Sequence, residues 1–403
     1  MVNVNHSEHP PSQRHPVRIK RVKRHAARIK RKKRLPPGQR LILYGMLAFV
    51  ITLLQAYRLP ADTPNTTLSS DLIPGKPVIT TPPFSLISEV DNISSGLKEA
   101  ANQPKLTAGV FAVDLSSGQY SELNGYHKFP AASIIKIPVL IALLSAQDKH
   151  LVDPNQQLEL RKNLMVGGSG ILQWRPVGSK ITVRDTAELM ITRSDNTATN
   201  LIIDLLGGVD KFNPLFKQWG LKETQLNAWL PDLSGMNKTS PYELAYLVGR
   251  LNKGELLSKE SHDWMFNVMQ HVRTKSLIPP GLGKGARIAH KTGDIGSMVG
   301  DAGIVWCASG KSYLIAIQVE RPHNDRRANV LVRKLSKIVY EGFTGEIVPE
   351  PKAPPARKIH ARHKHYRLPS GIRQAKHKHL PHYSVSKAGA SSKSTRSVRS
   401  KAG

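Results

Sequence analysis

The stretch Phe129-Pro-Ala-Ala-Ser-Ile-Ile-Lys-Ile-Pro-Val-Leu140 constrains the fold more than any other, because it leaves almost no polar face. Ile134, Ile135, Ile137, Val139, Leu140, Ile141, Leu143 and Leu144 crowd too closely for a surface helix, so the segment reads as a helix inside a domain. Lys136 stands within that run. A buried ammonium is costly unless partners hold it or its pKa falls. Ser133 lies one turn earlier on the same helix face, within reach of the lysine. A desolvated lysine beside a serine at a helix N-terminus is an activated nucleophile. The amine takes the hydroxyl proton, and the helix end offers N–H groups to an oxyanion. The spelling Ser-x-x-Lys recurs at Ser95/Lys98, in an amphipathic stretch, and at Ser384/Lys387, in a basic tail. Alone it is a weak signal, and its weight comes from what lies downstream.

The 403 residues carry a formal net charge of +30, spread unevenly. Residues 1–40 hold 13 Lys/Arg against one acid, Glu8, and residues 349–403 hold 14 against Glu350. Residues 41–348 therefore carry only +5, as an ordinary globular domain does. The basic, Pro- and His-bearing stretch 1–40 cannot build a core and reads as a cytoplasmic tail. Leu41–Tyr57 has no charge, and its 17 residues suit a short transmembrane anchor. Cations before it and few after it orient the N-terminus inward, which predicts a bacterial inner-membrane protein with its catalytic domain periplasmic or extracellular. A cleaved signal peptide is the competing expectation. Residues 58–84, with six prolines among Thr and Ser, read as a linker. Residues 346–403 read as a basic, His-rich unfolded arm for anionic cell-envelope polymers or lipid head groups. No metal or cofactor is expected, since the tail histidines have no Cys or carboxylate beside them. A nucleic-acid role would rest on the tails alone, and the uncharged span argues against it. The single cysteine, Cys307, excludes an intramolecular disulfide and reads as an inert core residue.

Between the tails, residues 85–345 read as one α+β domain. A helix is expected over Leu86–Ala101, then strands Ala108–Leu115 and Gln119–Leu123 joined at Ser116-Ser-Gly118. After the Ser133 helix come helices near 184–193, 197–206, 208–219, 240–252 and 258–271. Strands Arg287–Thr292, Val299–Ala308 and Ser312–Glu320 follow, then a closing helix over Asn324–Tyr340. That order predicts a five-stranded antiparallel sheet flanked by the first and last helices, with an all-helical subdomain inserted.

Two further short motifs follow Ser133-Ile-Ile-Lys136. Ser194-Asp-Asn196 falls at a junction of helices, and Lys291-Thr-Gly293 at the end of a strand. All three, in this order and each at a junction of elements, resemble the penicillin-recognising serine hydrolases, and in particular class A β-lactamases. Thr182–Asn200 and Asp301-Ala-Gly-Ile-Val305 are similar to the family's surroundings of its second motif and the strand after its third. The resemblance implies a β-lactamase/transpeptidase-like fold and an acyl-enzyme on Ser133, formed from β-lactams or D-alanyl cell-wall peptides. It implies that Lys136 is the base or a proton relay and that Ser194 passes a proton to the leaving nitrogen. Asn196 would hold the substrate amide. Lys291 would set the potential and, with Thr292, meet the substrate carboxylate. Gly293 completes the third motif, and the N–H groups of Ser133 and Asp294 would form the oxyanion hole.

The family's deacylating glutamate has two candidate positions. Glu223-Thr-Gln-Leu-Asn227 has the right spelling, which would make an efficient β-lactamase. The wider pattern Thr224-Gln-Leu-Asn-Ala-Trp-Leu-Pro-Asp-Leu233 fits another register, which puts Leu230 at the glutamate position and Ser234 at that of its asparagine partner. The second register is favoured, and it implies slow deacylation. A non-catalytic wall-binding protein on a degenerate hydrolase fold is the non-enzymatic alternative.

Overall fold

The computed structural model describes residues 81–349. The basic segment 1–40, the expected anchor 41–57, residues 58–80 of the expected linker and nearly all of the C-terminal arm lie outside the described residues. Among the described residues no helix is long and apolar enough to cross a membrane.

The sheet is built from β1 (Ser88–Glu89), β2 (Thr107–Asp114), β3 (Gln119–Leu123), β4 (Arg287–Asp294), β5 (Met298–Trp306) and β6 (Ser312–Glu320), in the order β1-β3-β2-β6-β5-β4. The five longer strands pair antiparallel, as expected. The two-residue β1 is an addition, pairing parallel with β3. It explains a correction to the first helix, which starts at Asp91 rather than Leu86. Ile87 N–H donates to Gly118 O and Val90 N–H to Tyr120 O, so the sheet edge holds this backbone extended. Leu86 and Ile87 point outward instead of joining the apolar face of α1 (Asp91–Ala101).

Two cores flank the sheet. On one side α1 and α8 (Arg327–Thr344) bury Ile93, Leu97, Leu331, Leu335 and Val339 against Val110, Ile315 and Ile317. On the other lies the helical block inserted between β3 and β4. Its axis is α2 (Lys136–Asp148), whose side chains are nearly all buried. Each fully buried Leu or Ile there contributes ~1.5–3 kcal/mol. Around α2 stand α3 (Val183–Thr192), α4 (Asn196–Leu205), α5 (Phe212–Gln218), α6 (Pro241–Asn252) and α7 (Lys259–Gln270). Side chains set the starts of four of these. Thr182, Asp195, Ser240 and Ser258 each accept a hydrogen bond from the N–H three residues on. The expected helix 208–219 is instead a 3-10 turn, Val209–Lys211, leading into the shorter α5.

The loop between α5 and α6 folds over side chains that replace a backbone ladder. Both carboxylate oxygens of Glu243 are engaged, taking Lys222 N–H, Glu223 N–H, Thr224 N–H and the Thr224 hydroxyl. Asp232 accepts from Met236 N–H and Asn237 N–H, and Asn237 Oδ1 from Asn227 and Ala228 N–H. From α4, Asn200 accepts Leu230 N–H at 3.0 Å and donates to Leu230 O at 2.8 Å. Leu230 is thus fixed in space by a helix that also starts at the second motif.

Candidate active site

Ser133 lies in a 3-10 turn, Ala132–Ile135, that runs straight into α2. Ala132 before it has φ +45°, a left-handed conformation that costs a non-glycine residue ~1–2 kcal/mol. Ser194 has φ +55° in the short link between α3 and α4. Backbone strain is therefore held at both serines of the site. Asp195 stabilises the second. Its Oδ1 caps α4 through Ala198 N–H, and its Oδ2 accepts Ile171 and Leu172 N–H at 2.6 and 2.9 Å. Gly170, at φ +99°, runs so close that a Cβ there would come within 2.2 Å of the Asp195 carboxylate.

Lys136 is fully buried, and its Nζ lies near four oxygens: Ser133 Oγ (3.1 Å), Ser194 O (2.7 Å), Ser194 Oγ (3.1 Å) and Asn196 Oδ1 (2.9 Å). Burial, followed by the nearby charge of Lys291, pushes its pKa well below the ordinary lysine value, while Asp195 opposes the shift. A neutral amine has two N–H donors and one lone pair. The carbonyl oxygens of Ser194 and Asn196 can only accept, so they take the donors. The lone pair is left for a hydroxyl proton, and Ser133 Oγ stands within reach of it.

Lys291, on β4, is also fully buried and donates to Ser194 Oγ (3.1 Å) and Thr292 O (2.8 Å). Burial lowers its pKa to about 7, against the opposing effect of Asp301. Ser194 Oγ thus bridges the two lysines and can carry a proton between them and a leaving group. The Asn196 amide is oriented at both ends, accepting from Lys136 and donating to Gly167 O. Thr292 is nearly buried beside Lys291. Gly293 lets β4 pass the nucleophile's turn closely: a Cβ there would lie 3.1 Å from Ser133 N and 2.9 Å from Ile134 Cγ1. The structure therefore gathers Ser133, Lys136, Ser194, Asn196, Lys291, Thr292 and Gly293 into one place. Asp294 joins them at the end of β4.

Two hollows open on this cluster. One, about 310 Å³, is lined by Ser133, Asn196, Asp294 and Leu230, with the loop residues Gly168 and His323. The other, about 180 Å³, lies beside Ser194, Lys291 and Thr292 and is bounded by Arg193 and Arg273. Leu230 faces the same hollow as Ser133. Glu223 lines neither hollow, and its carboxylate pairs with Lys128 Nζ at 2.7 Å. Ser234 donates to Asp232 Oδ1.

Sequence reading missed the groups that support the motifs. The Asp294 carboxylate accepts Gly296 N–H and the Arg321 guanidinium (2.5 Å). Buried Arg321 also donates to Gly296 O and Asn329 Oδ1, so it fastens the turn after the third motif. His290, before Lys291, pairs with buried Asp301 at 2.8 Å. A charge embedded in an apolar strand, as Asp301 is in β5, was the available signal. Among the described residues no cluster of His, Cys, Asp or Glu is arranged to hold a metal ion. Cys307 is buried, which raises its thiol pKa to about 11.

A model of the β-lactamase enzyme family matches residues 88–343. Among curated proteins, β-lactamase CARB-3 of Pseudomonas aeruginosa is 26% identical over 275 residues, covering 65% of this chain and 94% of its own. A β-lactamase of Streptomyces fradiae is 29% identical over 249 residues, covering 59% and 81%. Among solved structures, PBP-A matches with a TM-score of 0.64 at 43% identity, covering 66% of this chain and 100% of that one. A leucine-to-glutamate mutant of PBP-A, solved as the acyl-enzyme complex with penicillin G, matches at 0.63 and 44% identity, covering 64% and 98%.

Proposed function

Because this chain belongs to the β-lactamase enzyme family and is a class A β-lactamase-like serine hydrolase, we propose that it forms a long-lived acyl-enzyme on Ser133 with β-lactams or D-alanyl cell-wall peptides. The observation that carries this is Lys136 Nζ, desolvated and 3.1 Å from Ser133 Oγ, with its N–H groups committed to Ser194 O and Asn196 Oδ1. The neutral amine takes the Ser133 proton as Oγ attacks the carbonyl carbon. The tetrahedral oxyanion is met by the N–H groups of Ser133 and Asp294. As the C–N bond breaks, the proton passes through Ser194 Oγ to the leaving nitrogen, while Lys291 and Thr292 hold the substrate carboxylate. The PBP-A mutant trapped with penicillin G supports penicillin as an acylating ligand here.

Deacylation needs a base for water, and the side chain on the Ser133 hollow at that register is Leu230, which cannot accept a proton. Glu223, paired to Lys128 off the hollow, is no substitute. The ester therefore persists. In this reading the domain stands outside the cytoplasmic membrane on an anchor formed by residues 41–57, with the basic tails contacting anionic envelope polymers or lipid head groups. The test is gel labelling with a fluorescent penicillin: wild type should label and Ser133→Ala should not. Equal labelling of the two would remove Ser133 as the nucleophile.

A further inference from the structure

We infer that a hollow between the far ends of α2, α3 and α7, outside the catalytic cleft, is a saccharide-binding site. It measures about 350 Å³ and is lined by Gln147, Asp148, His150, Arg184, Glu260 and Trp264, among others. That volume lies within the usual range of small-molecule sites, ~300–1,000 Å³. Asp148 is already engaged. It accepts Ser258 N–H and the hydroxyls of Ser258 and Ser261, which ties the start of α7 to the end of α2. The remaining polar side chains are uncommitted. Among the described residues Gln147, His150 and Glu260 make no side-chain hydrogen bond or ion pair, and Arg184 makes only a stacking contact, its guanidinium 5.2 Å from the centre of the Trp264 ring. Among the described residues no side-chain hydrogen bond or ion pair takes the N–H donors of this guanidinium.

The chemistry of these groups selects the ligand. One guanidinium and two carboxylates, Asp148 and Glu260, with an imidazole and an amide, offer no excess of positive charge, unlike the clustered cations that hold phosphate. Guanidinium, carboxylate and amide are planar groups that can each meet two neighbouring polar atoms at once. Adjacent hydroxyls on a pyranose ring present such pairs, beside the Trp264 indole that Arg184 covers on one face. An uncharged, hydroxyl-rich ring satisfies this set. The site is also distant from the chemistry. Lys136 starts α2 and Asp148 ends it, so 13 helical residues, roughly 20 Å, separate the two. Saccharide binding and acylation are therefore separately measurable, and this inference does not rest on the acyl-transfer reading.

The test titrates the full-length chain with tri-N-acetylglucosamine and, separately, maltotriose while tryptophan fluorescence is followed. A saturable change is expected, absent in Trp264→Phe and weakened at least about tenfold in Arg184→Ala and Glu260→Gln, whose melting points stay at the wild-type value. A response to the amino-sugar alone assigns the site to amino-sugar polymers, and a response to both assigns it to glycans generally; either supports the inference. No saturable change with either sugar would overturn it. So would unweakened binding by Arg184→Ala and Glu260→Gln, or competition by penicillin bound at Ser133, which would move the sugar into the catalytic cleft. Failure of penicillin to label would bear on the acyl-transfer reading alone.

Discussion

Two lysines with depressed pKa values act on opposite sides of one pH profile. Lys136 must be neutral to take the Ser133 proton. Its folded pKa is lowered, first by burial and then by Lys291, so acylation should fall as pH drops through that lowered value. Lys291 must be charged to attract a carboxylate. Its pKa is about 7, so that attraction should weaken as pH rises above about 7. The second-order acylation rate should therefore be bell-shaped. Lys291→Met removes the charge that depresses Lys136, so the acid limb should move to higher pH. Stopped-flow acylation across about pH 5–9, about two units either side of 7, reads both effects, and a flat profile would contradict these roles. The residues of the three motifs that do chemistry, Ser133, Lys136, Ser194 and Lys291, were legible because each side chain must be present for the reaction. Asn237, Glu243 and Arg321 were not, since a side chain that holds backbone distant in sequence spells no local pattern.

At the scale of elements, β4 is read by the turn that carries the nucleophile. Gly293→Ala would put a Cβ 3.1 Å from Ser133 N and 3.0 Å from the Ala132 Cβ. The strand must then retreat from the turn. Misplacement of about 1 Å at such a site costs ~10²-fold, so acylation should slow by about that factor while far-UV circular dichroism stays native. An unchanged acylation rate would mean that the close approach of β4 does not set the oxyanion geometry. Most elements could be read from periodicity and caps, as at Ser240-Pro241 and Ser258, where side chains accept from the first turn. The misreadings have different causes. At Leu86–Glu89 helical spacing was overruled by pairing with a strand thirty residues later, and at Val209–Lys211 a Gly207-Gly208 pair with positive φ delayed α5. A tertiary partner decides the first segment, and the local sequence does not contain it; the second was written in the glycine pair.

For the whole molecule, charge is concentrated in the two ends while chemistry belongs to the domain between them. The C-terminal arm has few large apolar residues and 14 Lys/Arg, a composition for which we propose an anionic surface as partner. Deleting residues 349–403 should leave the melting point within about 1 °C, since surface contacts contribute little, and should reduce salt-sensitive retention on cell envelopes. A large fall in melting point would mean that the arm packs on the domain. The central claim is that acylation is intact and deacylation is not. The loop that Glu243, Asp232 and Asn200 hold in place presents Leu230 to the Ser133 hollow, where a base would be needed. A positioned base contributes typically ~10²–10⁴-fold, so its absence should give an adduct that lasts. The most direct measurement is intact-mass spectrometry of the protein over time after a single exposure to benzylpenicillin, for wild type and Leu230→Glu. The account predicts one penicilloyl group on Ser133 that persists in wild type and is released at least about 10²-fold faster in the variant. Rapid turnover by wild type with no adduct accumulating, stopped by Glu223→Gln, would contradict it.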